Sequence, residues 1–204
     1  MTDFLKKLKG WQLLLLAAVL TAAIFAAGGI KGYMTETSAI KNGSLVTAQL
    51  QPEDFELVAF KPVEGGWRTT DTDPQMIYTV NGLFASIYME MDSLLYTGDV
   101  VLYYTNPGDT AWSRQKRIFL VPDKDNPSCY RGSLPVQDVQ AIRIDPGSVG
   151  GNLLNFGDII INPPHTMADY FDISAYTLLM YRVYTLFIGA ILRFVQEFFT
   201  KSFE

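Results

Sequence analysis

The chain holds one cysteine, Cys129, and one histidine, His165, among 204 residues. A single cysteine cannot close an intramolecular disulfide, so any folded domain must be held by its core. A structural zinc site needs about four Cys or His ligands; the two candidates here stand 36 positions apart, and no cofactor is expected. No glycine-rich loop follows a strand and opens a helix, which leaves nucleotide binding without support. Basic residues are also scarce. Residues 31–172 carry 10 Lys+Arg against 18 Asp+Glu, a balance of −8. That balance argues against nucleic acid as a partner, since phosphate binding needs a basic face.

Charge is missing altogether from residues 11–30, Trp11 to Ile30. Twenty residues at about 1.5 Å each span about 30 Å, the thickness of a bilayer's hydrocarbon layer. Lys6, Lys7 and Lys9 precede the run and Lys31 comes directly after it, so the positive-inside rule puts residues 1–10 in the cytoplasm as a basic tail. The competing reading is a cleaved signal peptide with a small-residue site near Ala26-Ala27-Gly28. The run exceeds the usual apolar core of about 7–15 residues, which favours an uncleaved transmembrane helix in the cell membrane. Both readings export the middle of the chain from the cytoplasm.

After a linker at 31–43, residues 44–163 change to short strand-like runs. The expected strands are 45–50, 55–60, 76–80, 84–91, 99–104, 117–121, 130–134, 139–144 and 158–161. Turn residues separate them, among them Asn81-Gly82, Asn106-Pro107-Gly108-Asp109 and Asp145-Pro146-Gly147. Such spacing predicts an all-β jelly-roll-like sandwich of two sheets, with a closed barrel as the alternative.

The segment Gly66-Trp67-Arg68-Thr69-Thr70-Asp71-Thr72-Asp73-Pro74-Gln75 resembles the turn that opens a galactose-binding-like, carbohydrate-module-like β-sandwich. Ala141-Ile142-Arg143-Ile144-Asp145-Pro146 and Phe156-Gly157-Asp158-Ile159-Ile160-Ile161-Asn162 are similar to later parts of it. Such sandwiches come after the first membrane helix of bacterial glycosyltransferase-type proteins that build surface polysaccharides. The resemblance covers roughly residues 40–163 and implies a fold and a cell-envelope setting. Those proteins continue into many more membrane helices, whereas this chain ends at Glu204, as a stand-alone version, a fragment or one half of a split system would.

A pyranose presents a C–H face and hydroxyl edges, so its sites pair aromatic platforms with charged or amide groups. Trp67, Tyr103, Tyr104, Trp112, Arg114, Arg143 and Asp145 have that chemistry. An envelope glycan is therefore the expected ligand of an accessory, non-catalytic module, and a purely structural subunit making protein contacts is the alternative. The pairs Asp71/Asp73 and Asp123/Asp125 read as turn formers, with a structural Ca2+ as the other use for them. A sortase-like transpeptidase would need Cys129, His165 and Arg143 together, but the sequence typical of that family's cysteine is missing.

A second linker at 164–173 precedes a proline-free stretch, 174–200. Arg182, Thr185, Gly189, Arg193, Gln196 and Thr200, spaced 3, 4, 4, 3 and 4, fall on one stripe of a helix. A membrane span would turn that stripe towards the helices of a partner, a multi-spanning membrane protein being the one expected, because intramembrane charge is costly against lipid. A helix lying on the bilayer or packed on the sandwich satisfies the same pattern.

Overall fold

A computed structural model describes residues 10–171 and 175–201. Two compact units share the chain: a helical unit, 1–34 with 165–204, and a β-unit, 35–164. In the helical unit, α1 (Gly10–Lys41, its last turns belonging to the β-unit) is long and apolar enough to cross a membrane. Leu13, Ala17 and Thr21, four apart, form a covered seam on it. The seam ends in a glycine notch: a Cβ on Gly29 would lie 2.9 Å from Phe171 and one on Gly32 2.8 Å from Tyr170. The short 3₁₀ turn Met167–Phe171, inside the expected linker, supplies both rings.

The second helix, α2 (Ala175–Lys201), does not qualify as a span by length and composition; α1 alone does among the described residues. The expected polar stripe is divided. Gly189 is buried and Thr185 and Gln196 are half-buried, while Arg182 and Arg193 are exposed, Arg193 lying 3.5 Å from Glu197. Thr200 lies outside the residues whose side chains are described.

The expected linker at 31–43 is mostly helix. Nothing stops α1 before Asn42-Gly43, where Gly43 adopts a left-handed φ of 73°. There the Asn42, Gly43 and Ser44 amides bond the carbonyls of Ser38, Ile40 and Ala39, a glycine-ended helix cap. Ala39 then packs with Leu45 and Ala85 in a small cluster at this end of the β-unit.

The β-unit contains β1 (Ala48–Leu50), β2 (Glu56–Val58), β3 (Phe60–Val63), β4 (Gly66–Thr69), β5 (Gln75–Ser93), β6 (Val100–Thr105), β7 (Arg117–Pro122), β8 (Cys129–Asp145) and β9 (Leu153–Ile161). They form one nine-stranded hydrogen-bonded sheet, order β3-β4-β9-β5-β8-β6-β7, with β1 on β9 and β2 on β5. Instead of two separate sheets, β5 and β8 run through both halves. The expected turn at Asn81-Gly82 is a bulge in β5: Thr79 pairs Ala141 but Gly82 pairs Val139, so one extra residue is accommodated and Asn81 takes φ 48°. On β8, Phe84 pairs Gln137 and Ser86 pairs Ser133, so three residues, 134–136 with Pro135 in the middle, stand opposite Ala85. Turn and bulge use the same left-handed or proline residues, so the sequence signal is shared by both.

The bulges let one strand change partners along its length. β5 pairs β2 at residues 75–77 and β9 at 87–93, keeping β8 on its other side. One core lines a single face of all this, with Met76, Phe84, Ile87, Met89, Met91, Leu102, Ile142, Ile144, Leu154 and Ile159 fully buried or nearly so. Each such side chain contributes about 1.5–3 kcal/mol by leaving water.

Chain entry and exit lie side by side, since Ala48 pairs Ile161. Buried Asn162 clasps them: its Oδ1 accepts from the Ala85 amide at 2.8 Å, and its Nδ2 donates to Val46 O at 3.0 Å and Leu83 O at 3.2 Å. Thr47 Oγ1 donates to Asn162 O at 2.7 Å.

Candidate functional site

Side chains alternate along a strand, so the residues between core positions share the outer face. On the half of the sheet built from β2, β5, β8, β6 and β7, Arg143 stands opposite Tyr103 on one side and Ile77 on the other. Asp145, two residues on, points the same way. The Arg143 Nε donates to Asp145 Oδ1 at 2.6 Å and Nη2 to Oδ2 at 2.7 Å, a two-pronged pair. Asp73, from the turn before β5, accepts a further bond from Nη2 at 3.1 Å, and the Tyr103 ring centre lies 5.2 Å from the guanidinium. Arg143 and Asp145 side chains are 17% and 16% exposed. Hydrogen bonding to Asp145 raises the Arg143 pKa further, while burial pushes the Asp145 carboxyl up more than Arg143 pulls it down. No protein acceptor faces Nη1 of Arg143 among the described residues.

Of the seven residues expected from the sequence, the fold brings Tyr103, Arg143 and Asp145 together. Tyr104 faces the other way and packs against the core. Trp67 sits on β4, opposite Pro62 and Leu154, away from β8. Trp112, half-buried, and Arg114, exposed, belong to the loop between β6 and β7. Lys116 pins that loop by an ion pair with Asp109, holding the Asp109 carboxyl below its usual range. Asp73 joins the cluster unforeseen, although its turn was singled out. The transpeptidase arrangement is not formed: Cys129 and Arg143 lie fourteen residues apart, near opposite ends of one strand.

A second place escaped the sequence reading. On the other half of the outer face a cleft of about 330 Å³ is lined by Glu90, Met91, Asp92, Asn126, Ser128, Cys129, Asn155, Phe156 and Gly157. Its floor exists because β9 carries an extra residue opposite Glu90: Met89 pairs Ile159, but Met91 pairs Phe156. Gly157 sits in that bulge beneath the Glu90 carboxylate, where a Cβ would come within 2.5 Å of Oε2. The Tyr88 hydroxyl donates to Glu90 Oε1 at 2.5 Å and lies 3.0 Å from Cys129 Sγ. Bonds to Cys129 and Glu90 keep the Tyr88 hydroxyl protonated well past its usual range. Ser128 Oγ donates to Asp92 Oδ1 at 2.5 Å. The alternation of Tyr88, Glu90 and Asp92 between buried apolar residues was the available signal; the β9 half of the cleft had none.

The architecture is a β-sheet module with polar sites on its outer face. No family model matches the chain, and no curated protein matches it. Solved structures similar to it include a low-affinity xylan-binding module, CBM86, from Roseburia intestinalis (8% identity, TM-score 0.39, covering 57% of this chain and 94% of that one). Others are a β-1,3-glucan-binding CBM6 from Bacillus halodurans (13%, TM-score 0.37, covering 56% and 94%) and the family 32 module of C. perfringens NanJ with galactose (10%, TM-score 0.39, covering 57% and 98%). At this degree of likeness they say nothing of what this chain binds.

Proposed function

We propose that the β-unit is a non-catalytic glycan-binding module, tethered by α1 to the cell membrane and held outside the cytoplasm, where it serves surface-polysaccharide assembly. The observation that carries the binding reading is the Tyr103–Arg143–Asp145 cluster. An aromatic ring, a guanidinium fixed by two carboxylates and a free Nη1 edge stand on one half-buried outer face of the sheet. A guanidinium braced in this way can bond hydroxyls without losing conformational freedom on binding. With Asp73 and Asp145 the cluster carries more negative than positive charge, so its fitting ligand is an uncharged, hydroxyl-bearing glycan. The anchoring reading is supported by α1's length and composition.

The test is binding of neutral oligosaccharides to the full chain in nanodiscs. Tyr103→Ala is expected to abolish binding and Trp112→Ala to leave it. Equal binding by the Tyr103 variant sinks the glycan site. For the tether, Asp125→Cys in a Cys129→Ser background should label in intact cells with a membrane-impermeant thiol reagent; labelling only after lysis refutes export.

One observation favours a second reading, a subunit that makes protein contacts. Leu94, Leu95 and Tyr96 are 75%, 48% and 88% exposed in consecutive positions. The buried Asn152 holds their loop, accepting from the Leu95 amide at 3.0 Å and donating to Ser93 Oγ at 2.8 Å.

A further inference from the structure

The cleft around Glu90 and Asp92 differs from the Arg143 cluster in having no cation of its own. Each carboxylate spends one oxygen on a protein hydroxyl, Tyr88 on Glu90 Oε1 and Ser128 on Asp92 Oδ1. The other oxygens, Glu90 Oε2 and Asp92 Oδ2, have no protein donor among the described residues. No Lys or Arg lines the cleft, and none occurs in the sequence between Arg68 and Arg114. Arg131, on the neighbouring strand, lies over the Tyr88 ring at 5.4 Å and is 3.6 Å from Asp123. Beside the two carboxylates stand the amides of Asn126 and Asn155, while Phe156, paired with Met91, turns its ring to the core against Phe60. Uncompensated carboxylates attract a cation, and amides suit hydroxyls. A divalent metal is the poorer match, since no group of three His, Cys, Asp or Glu that could hold one occurs among the described residues. The volume is at the small end of the range for small-molecule clefts, about 300–1,000 Å³.

We propose that this cleft binds a small ligand carrying an ammonium group beside hydroxyls, an amino sugar being the fitting class, with Glu90 and Asp92 taking the ammonium. The site is separate from the Arg143 cluster and does not depend on the reading given to it.

The full chain in nanodiscs is titrated calorimetrically with glucosamine, N-acetylglucosamine and glucose at low ionic strength. Glucosamine should bind at least tenfold more tightly than the other two, and added salt should erode the difference. Asp92→Asn and Glu90→Gln should each weaken glucosamine binding about tenfold or more. Thermal unfolding of each variant separates lost binding from lost fold, and Asp92, being exposed, is the variant that keeps the fold. Equal binding of the acetylated or uncharged sugar that Asp92→Asn weakens as much overturns the proposal, as does undiminished glucosamine binding by folded Asp92→Asn. Binding of Ca2+ that is lost in Asp92→Asn, without glucosamine binding, overturns it in favour of a metal site.

Discussion

The two polar patches on the outer face lie along the same strands, β5 and β8, yet they treat negative charge in opposite ways. Around Arg143 the carboxylates have a cation of the protein's own: Asp145 is occupied on both oxygens and Asp73 takes the remaining Nη2 hydrogen. Around Glu90 and Asp92 the partners are neutral hydroxyls, and half of each carboxylate is left over. A matched cluster contributes to the fold and offers a ligand only its edge. An unmatched one contributes little to the fold and keeps its charge for whatever enters the cleft. The contrast is testable, because substitutions should damage stability in the first patch and binding in the second.

The largest effect is expected from Arg143→Met. It strands the mostly buried Asp145 carboxylate beside Asp73 without its cation, and breaking a buried pair from one side costs several kcal/mol. With the residual exposure of the site, the expected loss is about 2–3 kcal/mol in unfolding free energy. The loss should depend on pH. Burial already holds the folded-state pKa of Asp145 above its unfolded value, and Arg143→Met removes the influence that lowers it. A carboxyl with a raised folded pKa contributes stability that is full below the unfolded value, about 3.9, and fades as pH rises through the folded pKa. The variant should therefore approach the wild type in acid and diverge from it towards neutrality. Chemical denaturation at pH 4 and pH 7 checks this; an equal deficit at both would show that Asp145 is not the group left stranded.

A smaller effect is expected at Gly157. An alanine Cβ would come within 2.5 Å of Glu90 Oε2 and 2.9 Å of Glu90 Cβ. The carboxylate end can swing away, but at the expense of its bond from Tyr88, so Gly157→Ala should cost about 1 kcal/mol, the low end for overpacking. Because the shift moves a cleft carboxylate, glucosamine affinity should fall with it. Denaturant midpoint and calorimetry on the same preparation read both; an unchanged midpoint would mean that Glu90 is not held over Gly157.

The sequence made one of these patches readable and not the other, for a reason that lies in strand register. Arg143 and Asp145 are two apart on a single strand, so alternation alone puts them on one face, and Tyr103 is aromatic and stands out. Trp67 and Trp112 stand out equally, but nothing in their own segments says which strand they will lie against. The cleft needs Gly157 of β9 opposite Glu90 of β5, a pairing of residues 67 positions apart set by a bulge. The same limit explains the continuous sheet. Asn81 and Pro135 have the backbone preferences of turn residues, and only the pairing of β5 with β8 turns them into bulges inside long strands. The apolar run from Trp11 was legible because hydropathy requires no partner, whereas the continuation of α1 to Lys41 lay in polar residues that hydropathy passes over.

The smallest effect on stability is expected from Asp92→Asn. Asp92 is exposed, and its side chain accepts a bond from Ser128 Oγ, a role that an asparagine side-chain carbonyl fills equally well. Exposed substitutions of this kind stay within about 0.5 kcal/mol, so the melting temperature should scarcely move. The same change removes a formal charge from the rim of a cleft that has no cation to offset it. If the variant keeps its stability and loses glucosamine, that charge serves the ligand and not the fold. If it loses stability as Arg143→Met does, Asp92 belongs to an internal charge balance, and the two patches are alike after all.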